Sequence, residues 1–242
     1  GEAAQALTMM QEAVRRQPSW RNYARLSDMV YRAGDLAAAR RALEACLDRW
    51  PDNFDILSRL AQLELLSGSP ERAAELYEVL VGRWPGETEL ANLGVAYTLL
   101  KRYDAAADRF RQALELAPES PYALYNLADA EWLRGAEDAA AELYGQVLER
   151  IAQDPDPEHL LTLRAQAEAR LGRLEEAVAL AHEALQQSPD NPQVRYEAAV
   201  VFVLAGEDLT ALLSARRAIE LGVEPRWFDF PWFEPLRERL GA

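Results

Sequence analysis

Apolar positions along this chain repeat at two nested periods. Over short segments they recur every three or four residues, the spacing that gathers side chains on one face of an α-helix. The stretch ANLGVAYTLLKRYDAAADRFRQALELAP, Ala91 to Pro118, shows this most clearly. It predicts a first helix in which Leu93 and Gly94 are followed three positions later by Tyr97. A turn comes next. A second helix carries Ala106, Phe110 and Ala113, and Pro118 ends it, because a proline ring cannot continue a helix. The small residues let two helices approach closely, and the bulky ones fill the gap between neighbouring pairs. Runs of alternating Val, Ile and Thr, which would predict strands, are missing.

The longer period is set by prolines and glycines. Pro18, Pro51, Pro85 and Pro118 are separated by 33, 34 and 33 residues, and Pro155 and Pro189 by 34. Gly34 and Gly68, and again Gly172 and Gly206, are 34 apart. Between these marks the second-helix pattern recurs as Ala39, Leu43, Cys46; Ala73, Tyr77, Leu80; Ala140, Tyr144, Val147; Ala177, Ala181, Ala184; and Ala211, Ala215, Ala218. First-helix counterparts are Tyr23, Leu26, Ser27; Leu57, Leu60, Ala61; Leu90, Leu93, Gly94; and Leu124, Leu127, Ala128.

On these residues the chain closely resembles the tetratricopeptide repeat family over nearly its whole length. The resemblance implies an all-α, right-handed superhelical solenoid of antiparallel helix pairs, each contacting its neighbours. One array of about 14 helices is expected over 1–242. Its parts are a partial repeat or cap over 1–18, helix pairs over 20–51, 54–85, 87–118, 121–152, 158–189 and 192–223, and a C-terminal cap over 224–242. Opening inside a repeat suits a fragment of a longer protein or an irregular N-terminal cap.

Departures from the pattern carry further expectations. AQDPDPEH, Ala152 to His159, adds residues between pairs. Its Asp154, Asp156 and Glu158 read as helix-capping carboxylates, since the remaining ligands and the glycine of a calcium loop are missing. Arg164 stands where the family usually has Leu, which predicts looser packing there. Cys46 reads as a buried, inert thiol. EPRWFDFPWFEPL, Glu224 to Leu236, concentrates five aromatic residues after the last repeat. A solenoid end needs a lid. Pro231 suits the start of a short helix, and Phe233, Leu236 and Leu240 then share one face. A lid is the expectation, with a partner or self-association surface through Trp227, Phe228, Phe230, Trp232 and Phe233 as the alternative.

Composition narrows the function. Ala, Leu, Glu and Arg dominate, all strong helix formers. Forty acidic residues against 26 basic ones give a formal charge of −14, a field that repels a phosphate backbone and argues against nucleic acid. Lys101 is the only lysine, an Arg preference that suggests a GC-rich bacterial source, cytoplasmic or periplasmic. No apolar run is long enough to span a membrane, and GEAAQALTMM lacks the regions of a signal peptide. His159 and His182 have no partner at metal-ligand spacing. No nucleophile–base arrangement, phosphate-cradling loop or metal cluster is visible, and the carboxylates are expected on solvated helix faces. The chain is not expected to be an enzyme or to hold a cofactor or metal.

The resemblance places binding on the concave face lined by the first helix of each pair. Asn92 and Asn126 lie 34 residues apart at the same point of successive first helices. In related arrays such asparagines hold the backbone of an extended peptide, since an amide both donates and accepts. Tyr122, Tyr125, Asp129 and Trp132 share one helix face, and Asp28, Tyr31, Arg32 and Tyr196 fall on equivalent faces. Exposed Tyr and Trp would serve as anchors. Ala91 and Tyr125 stand where the carboxylate-clamp type of repeat domain carries basic residues, so an acidic tail is a poor ligand. The expected role is a non-catalytic scaffold or adaptor for a neutral or basic extended protein segment with apolar anchors. The alternatives are a regulatory segment of a larger bacterial signalling enzyme such as a kinase, and a protein that self-assembles through its aromatic tail.

Overall fold

The computed structural model describes residues 2–240, and its regular elements are helices throughout. In chain order these are α1 (Glu2–Arg16), α2 (Trp20–Arg32), α3 (Leu36–Leu47), α4 (Phe54–Leu66), α5 (Pro70–Arg83), α6 (Glu87–Leu99) and α7 (Tyr103–Leu116). They continue as α8 (Pro121–Leu133), α9 (Glu137–Gln153), α10 (Leu161–Arg170), α11 (Leu174–Gln187), α12 (Pro192–Leu204), α13 (Asp208–Glu220) and α14 (Arg237–Leu240). Turns of 3-10 helix occupy Pro157–Leu160, Pro225–Phe228 and Pro231–Leu236. Among the described residues there are fourteen α-helices and no strand, as the period predicts. The helices from α2 to α13 pack as consecutive pairs, α2 with α3 through to α12 with α13.

One turn closes all six pairs. The residue after the first helix's cap is left-handed: Gly34, Gly68, Gly135, Gly172 and Gly206 have φ between 75° and 85°. Lys101 does the same job at φ 58°, the one non-glycine in the set, where an L side chain is strained. The next amide reaches back five residues, as in Asp35 N–H to Val30 O (2.9 Å) and Arg102 N–H to Tyr97 O (2.8 Å), satisfying the helix's last carbonyls. Four of the six first helices start on side-chain caps: the Ser19, Asn53, Ser120 and Asn191 oxygens accept from Asn22, Ile56, Ala123 and Val194 N–H, whereas α6 and α10 have no such cap.

Packing inside each pair follows the small-residue pattern. Ala39, Ala73, Ala106, Ala140, Ala177 and Ala211 are all buried. At Gly94 the approach is close, because a β-carbon there would sit 2.5 Å from the Phe110 ring. The expectation that carboxylates stay on solvated faces fails at three related positions. Glu64, Glu131 and Glu168 are buried near the ends of first helices. Each is neutralised by arginine: Arg40 grips Glu64 through Nε and Nη2 at 2.6 and 2.7 Å, Arg111 and Arg134 hold Glu131, and Arg173 lies 2.9 Å from Glu168. A buried charge is tolerable when paired and hydrogen-bonded in this way.

The helices gather into two compact units, Gly1–Pro85 and Gly86–Ala242. The first contains α1 to α5. Its core is apolar along both pairs, with Leu43, Cys46, Ile56, Leu60, Ala61 and Leu80 buried. Burial pushes the Cys46 thiol up to about 11, which keeps it protonated and inert. The second unit contains α6 to α14. One of its apolar clusters joins α8, α9 and α10 through Tyr125, Tyr144, Val147, Leu160 and Leu163. A larger one joins α10 to α13 with the C-terminal segment. In the inserted loop the Asp154 carboxylate accepts from Asp156 N–H at 2.8 Å, a local turn bond. Arg164 pairs with Glu176 of α11, so its departure from Leu trades apolar packing for an ion pair.

Candidate protein-interaction surface

In the second unit the first helices α6, α8, α10 and α12 contact one another in sequence and line a common face. The spacing of Tyr122, Tyr125, Asp129 and Trp132 sets them along one side of α8, but burial divides them. Tyr122 is 49% exposed. Asn126 and, on α6, Asn92 are half-buried. Neither amide side chain has a hydrogen-bond partner among the described residues. They therefore retain both donor and acceptor capacity for a ligand.

Tyr125 and Asp129 are not the open anchors expected of an exposed stripe. Tyr125 is buried and its hydroxyl lies 3.3 Å from Gln166 Oε1 in α10. Asp129 accepts from the Tyr144 hydroxyl at 2.5 Å and lies 3.0 Å from Arg170 Nη2. Arg170 has a side chain only 3% exposed. Burial raises the Asp129 carboxyl above its ordinary range, and Arg170 and the two tyrosines pull it only part of the way back. For Arg170 burial acts downward, yet Asp129 and the neighbouring tyrosines carry the net shift upward, so the guanidinium stays charged. Burial also raises the Tyr125 and Tyr144 hydroxyls, so both stay neutral donors. This interior cluster fixes the positions of α8, α9 and α10.

Trp132 and Tyr196 also differ from the expectation, because the C-terminal segment covers them. Tyr196 packs against Trp227, Phe228 and Phe233 at ring distances of 6.0, 5.4 and 5.7 Å. Trp132 lies 6.2 Å from Trp232. The Arg170 guanidinium sits over both indoles, 5.0 Å from Trp132 and 4.4 Å from Trp232. The five aromatic residues thus turn inward on their own chain. Phe228 and Phe233 are buried, and Phe230 stacks on Trp232 at 4.5 Å.

Further along the face, Glu197 of α12 accepts from Gln193 Nε2 at 2.8 Å. Burial raises its carboxyl above the ordinary range, with hydrogen bonds from Thr162 and Gln193 opposing. Partial burial, and then the Glu197 charge, raise the Tyr122 hydroxyl. On this face Tyr122 is exposed, and Asn92, Asn126 and Glu197 are half-buried.

The first unit holds the other expected residues. Asp28 is paired with Arg59 Nη1 of α4 at 2.7 Å. Tyr31 is 43% exposed and Arg32 is exposed beside it. Asp28, Tyr31 and Arg59, with Ser27, Gln62, Leu63 and Leu66, line an open cleft of about 200 Å³.

Family models described as tetratricopeptide repeat match residues 25–88, 93–156 and 158–201. The chain belongs to the tetratricopeptide repeat family. Repeats of this family are generally non-catalytic protein-interaction modules, and the surface above contains no catalytic arrangement among the described residues. Solved structures agree on the fold. A tetratricopeptide repeat protein from Parabacteroides merdae is 23% identical, with a TM-score of 0.71 over 100% of this chain and 92% of that one. A thermophilic tetratricopeptide repeat protein of Thermus thermophilus is 25% identical, with a TM-score of 0.60 over 76% of this chain and 100% of that one. MamA from Desulfovibrio magneticus, residues 41 to its end, is 20% identical, with a TM-score of 0.60 over 64% and 89%. No curated protein is similar enough in sequence to match. No helix among the described residues is long and apolar enough to cross a membrane.

Sequence reasoning gave no role to Arg170, Gln166 or Glu197, and placed Tyr144 only in helix packing and Trp232 only in the C-terminal lid or a partner surface. Arg170 ends α10 in AEARLGR, a run that by itself gives no sign of a buried partner. The signal available was the neighbouring carboxylate and aromatic residues on α8, which acquire meaning only once the helix pairs are stacked.

Proposed function

We propose that this chain is a scaffold that binds an extended segment of another protein on the first-helix face of residues 86–242. The observation that carries this reading is that the chain's own C-terminal segment already rests against that face, with Trp232 on Trp132 and Arg170. A surface that already receives the side chains of one aromatic segment offers contacts that another can use. Beside it lie the free amides of Asn92 and Asn126 and the exposed ring of Tyr122. The amides suit the peptide groups of a ligand, and Tyr122 offers area at low entropic cost. The chain's formal charge of −14 favours a neutral or basic segment. Asp28 and Tyr31 line a separate cleft, with Arg32 exposed next to Tyr31, that extends the same mode of binding to residues 1–85.

The test is capture from a bacterial lysate by wild type and by Tyr122→Ala/Asn126→Ala, both checked by circular dichroism. A protein held by the wild type and lost by the equally helical variant supports the site. The same proteins on both would overturn it.

A further inference from the structure

Trp232 behaves differently from the rest of the C-terminal segment. Phe228, Phe233 and Leu236, at 1%, 0% and 0% exposure, form a lid over α12 and α13. Trp232 reaches past that lid to α8 and α10, where it meets the Trp132 ring at 6.2 Å and the Arg170 guanidinium at 4.4 Å.

The walls of this seat belong to the repeats. Trp132 comes from α8. Arg170 is placed 5.0 Å from the Trp132 ring by its ion pair with Asp129, and Asp129 is held in turn by Tyr144. None of these contacts involves the C-terminal segment. A buried guanidinium beside an indole is a receptor for an aromatic ring, and tryptophan gives the strongest cation–π contact. The internal occupant is imperfect. The Trp232 indole N–H is buried and no acceptor among the described residues reaches it, which weakens its hold. The backbone carrying it is a 3-10 turn with a proline at each end of Pro231–Pro235, a geometry poorer in hydrogen bonding than an α-helix.

We propose that the Trp132–Arg170 seat is an anchor subsite for a tryptophan in the partner segment, and that Trp232 occupies it as an exchangeable internal ligand. The proposal rests on the scaffold reading above and names its partner chemistry: an aromatic–proline–tryptophan segment resembling Phe230-Pro231-Trp232. The segment enters as Trp232 swings out, while Phe228 and Phe233 stay on the lid. Occupation by Trp232 lowers apparent affinity by the fraction of molecules whose seat is open.

The experiment uses the full chain and a fluorescent peptide of sequence DFPWFEP, taken from Asp229–Pro235. Trp232→Ala should bind this probe about tenfold more tightly than wild type, as expected when the open state is a minor one. Trp132→Ala added to Trp232→Ala should abolish binding, and so should alanine in place of the probe's tryptophan. Equal or absent binding by wild type and a folded Trp232→Ala, or indifference to Trp132→Ala, would overturn the proposal. If Trp232→Ala does not fold, hydrogen exchange on wild type decides. Excess probe should speed exchange of the Trp232 indole N–H while the amides of α13 stay protected, and no change there refutes exchange. Asn126→Ala in the Trp232→Ala chain separates this idea from the broader one. Probe binding that survives Asn126→Ala but not Trp132→Ala removes the amide contact alone. The reverse pattern removes the tryptophan seat alone.

Discussion

Gly94 is the residue on which a close helix approach depends. Its absent side chain lets α6 settle onto Phe110 of α7, and a β-carbon would meet that ring at 2.5 to 2.8 Å. Phe110 is buried, so its ring has little room to move aside. Two effects oppose each other in Gly94→Ala. Alanine gains about 1 kcal/mol of helix propensity over glycine, whereas overpacking a filled core costs about 1–3 kcal/mol. The contact distance decides for the second effect, so net destabilisation of about 1 kcal/mol is expected. Chemical denaturation followed by circular dichroism measures it. Phe110→Leu should cost stability in wild type yet cost much less in the Gly94→Ala chain, since it opens the space the methyl needs. Additive effects of the two substitutions would show that this contact is not what glycine is there to permit.

The C-terminal lid is the element with most at stake. It packs Phe228, Phe233 and Leu236 onto α12 and α13 and so keeps their apolar side chains from water. Fully burying one aromatic contributes about 1.5–3 kcal/mol, and Phe228 and Phe233 are both in the core. Deleting Trp227 to Ala242 should therefore uncover Tyr196 and Leu212, remove protection from α12 and α13 in hydrogen exchange, and produce light scattering that grows with concentration. A truncated chain that stays monomeric with unchanged protection would refute the lid. Helix pairs and lid were legible in the sequence to different depths. The pairs were read directly, because Ala39, Ala73, Ala106 and their counterparts recur at positions where only small residues fit. The apolar face of the lid was also readable from Phe233, Leu236 and Leu240. The route of Trp232 was not, since its contact Trp132 lies a hundred positions earlier and local spacing says nothing about which helix a tail will cross. For the same reason Tyr125 and Asp129 looked like a surface stripe. A one-sided helical pattern marks a face, but whether that face meets solvent or Arg170 depends on the stacking of α8 on α10.

At the scale of the molecule, the two compact units carry unequal shares of a repeat architecture. A helix pair cannot bury its apolar face alone, and stability comes from stacking, with about three repeats as the least that suffices. Residues 86–242 contain four pairs, from α6–α7 to α12–α13, and their own lid. They also contain the complete Asp129–Arg170–Tyr144 cluster. Residues 1–85 contain two pairs and α1, joined in part by the Arg40–Glu64 ion pair between α3 and α4. An ion pair of that kind organises neighbouring helices but replaces little apolar burial. Expressed separately, 86–242 should therefore be helical with a cooperative melt and bind the DFPWFEP probe through its Trp232→Ala form as the full chain does. Residues 1–85 should lose most helical signal at temperatures where 86–242 remains folded. Circular dichroism melts of the two pieces measure this directly. If 1–85 melted as sharply and as high as 86–242, stability here would not follow the number of stacked pairs, and the strength of individual contacts such as Arg40–Glu64 would have to carry the difference.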